Sequence, residues 1–155
     1  MIYANNGGVI PINESTYNFV IGKNNDVEKI LLTIAGIEKK YSIVFPDVLK
    51  EYYSNFDGCK IKICRFSVNG YPCEISKIIP LISTGLSFDK IADNDRSDGF
   101  INTDFYPLAS NRGGDYYYWN AKTGEVFLVL SDDIENPIKI CDSVSHLFKI
   151  LNSSK

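Results

Sequence analysis

The sequence predicts one domain that sets helices beside antiparallel strands, and three observations carry that expectation. Residues 105–130 alternate short apolar runs with two glycine-bearing turns. The pair Asn69-Gly70 separates two strand-like runs, and three other segments repeat apolar residues at helical spacing. A chain of 155 residues, 45% hydrophobic and 13% aromatic, is the size of a single domain (1–155) and can bury a core without metal or disulfide help.

After a polar start, Asn24 and Asn25 offer capping oxygens, and Val27, Ile30, Leu31, Ile34 and Ile37 follow at helical spacing. A first helix is expected from about Asp26 to Lys40, weakened only locally by Gly36. A second begins at Pro46, which suits the first helical position. Asp47 adds an acidic group near the positive dipole end, and Gly58 stands past the last turn. Val48, Leu49, Tyr52, Tyr53 and Phe56 form its apolar face.

Residues 61–68 and 71–79 flank Asn69-Gly70, both of which tolerate the positive φ of a type I′ turn. A two-residue loop pairs Val68 with Tyr71 and Phe66 with Cys73, and puts Cys64, Phe66, Cys73 and Ile75 on one face. Ile61 and Ile63 fall on the other face, which predicts a bulge near Ile63–Cys64 or a sheet covered on both sides. Pro72 cannot donate to a ladder and therefore belongs at an edge.

Residues 78–104 are the least regular, with Asp89, Asp93, Asp95, Asp98 and Asp104 against Lys90 and Arg96 alone. An exposed acidic loop is expected there. Three meander strands follow. Gly113-Gly114 forms the first reversal, with positive φ expected at one of the two, and Ala121-Lys122-Thr123-Gly124 forms the second. Along the middle strand Tyr116 and Tyr118 face one side while Tyr117 and Trp119 face the other. Ile138–Cys141 reads as a brief strand. Asp142-Ser143 then caps a last helix whose Val144, Leu147, Phe148 and Leu151 point inward.

Little in the chain points to catalysis, and no catalytic residue is assigned. The single histidine, His146, lies in the last helix as a surface residue. No Gly-x-Ser-x-Gly elbow, phosphate loop or dinucleotide fingerprint is present. Cys59, Cys64, Cys73 and Cys141 contain no Cys-x-x-Cys pair, so reduced, mostly buried thiols are expected, with no metal and no cofactor. Asp93–Gly99 superficially resembles a calcium loop. Its glycine, however, falls at the seventh position where the motif needs the sixth, and Asp104 stands twelfth in place of glutamate.

A net charge of −3 and the lack of a basic stripe disfavour nucleic-acid binding. No apolar run is long enough to span a membrane, and Met1–Gly8 lacks the pattern of a signal peptide, so a cytoplasmic protein is expected. Protein binding remains. The candidate partner-binding residues are the carboxylates Asp93, Asp95, Asp98, Asp104 and Asp115 with the aromatics Tyr117 and Trp119. Exposed aromatics beside carboxylates would make a hot spot for a basic partner. Burial of both aromatic pairs of that strand is the alternative.

One longer pattern runs through these segments. Phe45-Pro46-Asp47-Val48-Leu49-Lys50-Glu51-Tyr52-Tyr53 precedes Asp57-Gly58, and Pro107-Leu108-Ala109-Ser110 leads into Gly113-Gly114-Asp115-Tyr116-Tyr117-Tyr118. Gly124-Glu125-Val126, Ile140-Cys141-Asp142-Ser143 and Leu147-Phe148 complete it. In this order, from about Asp26 to Leu151, the chain resembles the SUKH superfamily of SMI/KNR-type domains. The resemblance implies an α+β fold, with helices packed on a mostly antiparallel sheet, and no catalytic activity. It also implies an immunity protein that binds a cognate bacterial polymorphic toxin, often a nuclease, and neutralises it by occlusion. A regulatory or scaffold domain that binds another cellular protein is the alternative. The Asn69-Gly70 hairpin and the acidic stretch 91–104 are more elaborate than the minimal pattern.

Overall fold

The computed structural model describes residues 17–24, 26–99 and 101–154. A short strand β1 (Val20–Ile21) precedes helices α1 (Val27–Tyr41) and α2 (Asp47–Phe56). In α1, Ile30, Ile34 and Ile37 share one buried face. Asp26 is its N-cap residue without a side-chain bond, while Asn24 Oδ1 accepts from the Asp26 N–H at 2.8 Å. Asn24 thus shapes the approach instead of capping the helix, and Asn25 lies outside the described residues. Pro46 is the residue before α2, one position earlier than expected, and Leu49, Tyr52, Tyr53 and Phe56 are buried.

Three strand pieces make up the predicted hairpin region: β2 (Lys60–Ile61), β3 (Cys64–Val68) and β4 (Tyr71–Ile75). Val68 pairs with Tyr71 and Phe66 with Cys73, and Asn69 and Gly70 take φ of 50° and 81°, as the turn requires. The face change at Ile63 appears as a break: β2 pairs with β1, while β3 pairs only with β4. The chain then changes partner again at Ser76, so that β5 (Lys77–Ile78) joins a larger sheet.

Residues 88–98 overturn the acidic-loop expectation, for they form helix α3 (Phe88–Asp98). The Ser87 side chain accepts from the Lys90 N–H, Gly99 closes the other end at φ 69°, and Phe88, Ile91 and Ala92 are buried at positions i, i+3 and i+4. Asp93, Asp95 and Ser97, the first three ligand positions of the calcium-loop pattern, therefore lie along a helix and not around a loop.

The larger sheet is antiparallel in the order β5-β6-β7-β8-β9, with β6 (Phe105–Ser110), β7 (Tyr116–Asn120), β8 (Val126–Leu130) and β9 (Asp133–Cys141). Gly114, at φ 90°, supplies the positive backbone angle of the first meander turn, and Gly113 does not. Strand β9 is five residues longer toward its start than the sequence indicated. Pro137 lies inside it, tolerated because β9 is an edge strand. Helix α4 (Val144–Ser153) closes the chain, with Ser143 Oγ accepting from the His146 N–H at 3.0 Å.

The main core fills the space between the four helices, α3 through Phe88, Ile91 and Ala92, and one face of this sheet, where Tyr106, Leu108, Tyr117, Trp119, Val126, Leu128 and Ile140 point. A smaller cluster of Phe105, Tyr118 and Val129 occupies the opposite face. The fold is α+β, as the resemblance implied.

Candidate functional site

Strand alternation builds an aromatic row on that second face. Tyr118 of β7 stands opposite Phe127 of β8. Phe105 of β6 stacks on Phe127 with centroids 5.0 Å apart and on Tyr118 at 6.0 Å, and Tyr116 continues the row 6.3 Å from Tyr118. Phe105, Tyr118 and Val129 are buried, whereas Tyr116, Phe127, Ile101 and Ile134 are half-buried and border solvent.

Carboxylates flank the row. On the α3 side, Asp95 Oδ2 accepts from the Tyr118 hydroxyl at 2.9 Å, and Asp98 is exposed nearby. Burial raises the Asp95 pKa, and the Tyr118 hydrogen bond and Arg96 partly offset that rise. Burial and the Asp95 charge push the Tyr118 phenol well above its ordinary range, so it stays a donor. The β8–β9 turn that follows Val129 exposes Asp132, while Asp133 pairs with Leu130 and accepts from Asn136 Nδ2 at 2.7 Å.

Arg96, the cation on the α3 side of this face, is turned inward. Its guanidinium lies 4.1 Å above the Tyr106 ring and donates to the carbonyls of Ala92 (3.2 Å), Thr103 (2.6 Å) and Phe105 (3.1 Å). Lys139 stands opposite Phe127 across the β8–β9 pairing, but Glu125 and Asp142 hold its ammonium at 2.8 Å each, so the charge left unpaired beside the aromatic row is acidic.

The residues expected from sequence to bind a partner do not form one constellation. Tyr117 and Trp119 are 0% and 1% exposed, which removes them from any surface. They point to the sheet face that the helices cover: the Tyr117 hydroxyl donates to the Glu74 carbonyl at 2.9 Å, and Trp119 packs edge-on against Phe45 at 5.7 Å. Asp93 faces α1, where it and Asp89 accept from Lys40 Nζ at 2.9 Å each and from the Tyr41 hydroxyl at 2.6 and 2.7 Å.

Asp115 and Asp104 lie at opposite ends of β7. Asp115 accepts from the Ser131 N–H at 2.8 Å and from Asn111 Nδ2 at 3.1 Å, which braces the β6–β7 turn. Asp104 is 3.8 Å from Lys122 Nζ. Only Asp95 and Asp98 border the aromatic row. Sequence reasoning missed Phe105, Tyr116, Tyr118 and Phe127, although the two-residue period of β7 and β8 placed aromatics on both faces.

His146 is exposed on α4. Among the described residues no three His, Cys, Asp or Glu side chains gather as a metal site. Burial raises the pKa of Cys59, Cys64 and Cys73, and that of Cys141 to about 11, which leaves four free cysteines as protonated thiols. No helix among the described residues is long and apolar enough to cross a membrane.

Residues 32–150, from within α1 to within α4, match the family model described as the SMI1 / KNR4 family (SUKH-1). No curated protein matches the chain.

Proposed function

The chain belongs to the SMI1/KNR4 family (SUKH-1), and from that premise we propose that it is an immunity protein that binds a cognate bacterial polymorphic toxin and neutralises it by covering its active surface. The observation that carries the proposal is the aromatic row Tyr116–Tyr118–Phe105–Phe127, with Asp95 and Asp98 along one side and Asp132 exposed in the turn that follows Val129. Large aromatic side chains supply apolar contact area at small loss of side-chain freedom, and rim carboxylates steer a basic partner into place. A nuclease toxin presents such a basic surface, because it must hold phosphates. Binding is stoichiometric and consumes no substrate.

The test is a mixture of this protein with the toxin encoded beside it, followed by calorimetry and a toxin activity assay. A one-to-one complex that silences the toxin, weakened by Tyr116→Ala with Phe127→Ala, is the expected result. Protection without any complex sinks occlusion. A complex with some other cellular protein, and none with a toxin, makes the domain a regulator or scaffold.

A further inference from the structure

Helix α4 and the β3–β4 hairpin leave between them an open groove of about 610 Å³, on the helix-bearing side of the molecule and away from the aromatic row. Its lining includes Arg65, Phe66, His146, Lys149, Ile150 and Ser154. On α4 the spacing 146, 149, 150, 153 sets one helical face toward the hairpin. The floor is apolar, for Phe66 and Ile150 are half-buried against the main core.

The charge of the groove runs against that of the chain. The net charge is −3, yet no carboxylate lines the groove. Lys149 makes no ion pair among the described residues. Arg65 lies 3.9 Å from Glu74 with a side chain 60% exposed, while Glu74 is held far more closely by Arg112 at 2.6 Å. One cation without an ion pair, Lys149, and one held only loosely, Arg65, thus stand beside an apolar floor.

One end of the groove also excludes a simpler mode of recognition. Ser154 Oγ accepts from the Arg65 N–H at 2.9 Å and donates to the Arg65 carbonyl at 3.2 Å, so the outer edge of β3 is already satisfied there. An incoming strand cannot extend the hairpin through Arg65, and recognition falls to side chains. Too few cations are present to follow a nucleic-acid backbone, and an apolar floor offers it nothing.

We propose that this groove binds an acidic, amphipathic peptide segment of a second protein, which seats an apolar side chain over Phe66 and Ile150 and sets carboxylates on Arg65 and Lys149. Because the groove and the aromatic row lie on different sides of the sheet, a partner bound at one leaves the other open.

The probe is a fluorescein-labelled decapeptide of alternating glutamate and leucine, titrated into the intact protein by anisotropy and by amide NMR. The expected result is saturable binding with shifts centred on Phe66, Lys149 and Ile150. Arg65→Glu with Lys149→Glu should weaken it about tenfold, since each change removes one exposed attraction and adds a repulsion. Both residues are exposed, and an unchanged unfolding midpoint verifies that the fold is kept. A peptide with serine in place of leucine should bind at least as much more weakly. Absence of saturable binding, shifts centred elsewhere, equal binding of the serine peptide, or displacement of the probe by inorganic phosphate at equal concentration would each overturn the proposal.

Discussion

The Tyr118 hydroxyl donates to Asp95 Oδ2 at 2.9 Å and so ties the later turns of α3, whose first turns pack into the main core, to a tyrosine of the opposite sheet face. Two residues earlier on the same helix, Asp93 joins Asp89 in accepting from Lys40 and Tyr41 of α1. Helix α3 is therefore held from two sides by carboxylates that, read along the chain, look like a mark of solvent. Its apolar contribution is confined to Phe88, Ile91 and Ala92 in the first turns.

Tyr118→Phe should loosen the later turns of α3. The ring packing stays, but Asp95, only partly exposed, loses its phenolic donor, an effect of about 1–2 kcal/mol. Urea unfolding measures the loss, and amide exchange locates it. Exchange in residues 94–98 as slow as in the parent protein would mean that the contact holds nothing.

Leu49→Ala should cost about 2–5 kcal/mol, because Leu49 is fully buried in the α2 face of the main core and truncation leaves a cavity. Trp119→Phe should be milder than Trp119→Ala. Phenylalanine keeps most of the contact with Phe45 and Tyr106, and it removes an indole N–H that has no hydrogen-bond partner among the described residues. Thermal unfolding of the three variants ranks them. Trp119→Ala behaving like the parent would contradict the core assignment.

Glu74 gives the pH dependence a definite sign. Hydrogen bonds from the Arg112 guanidinium, then from its backbone N–H, lower the Glu74 carboxyl from 4.5 to about 2. A group whose pKa is lower in the folded state stabilises fully above its unfolded value and loses that contribution as pH falls through its folded value. The tie between the hairpin and the β6–β7 turn should therefore be intact above about pH 4.5 and fade toward pH 2. Asp57 and Asp95, raised by burial, act in the opposite sense, so a difference measurement is needed. The stability gap between the parent and Glu74→Gln should be present at pH 7 and close toward pH 2. A gap independent of pH would rule out the ion pair as its source.

Much of the fold was legible because local chemistry decided it. Asn69 and Gly70 could supply consecutive positive φ angles, and the register from Val68–Tyr71 back to Cys64–Ile75 follows from that turn. Ser143 capped α4 in the same local way. Helix α3 was hidden because only its first turns are apolar, although Ser87 and Gly99 marked both of its ends. The site was hidden for a different reason. Alternation shows that Tyr117 and Trp119 share a face opposite Tyr116 and Tyr118, but which face the helices cover depends on contacts between distant segments, such as Phe45 with Trp119.

Charge reversal separates steering from structure in the proposed interface. Asp98 and Asp132 are exposed, so Asp98→Lys with Asp132→Lys should leave stability nearly unchanged. The pair should slow association with a basic toxin by roughly tenfold at low salt, an effect that weakens as the screening length shrinks to ~10 Å at 0.1 M. Phe127→Ala should act instead on dissociation, since it removes contact area and not long-range attraction. Asp93→Lys serves as the contrast: its carboxylate is engaged by Lys40 and Tyr41, and reversal should disturb the seat of α3 on α1 before it alters any encounter. Stopped-flow mixing at two salt concentrations distinguishes these effects. An association rate untouched by the Asp98 and Asp132 changes at low salt would move the partner off this face, because exposed charges at the rim of a true interface cannot be reversed without altering the approach of an oppositely charged protein.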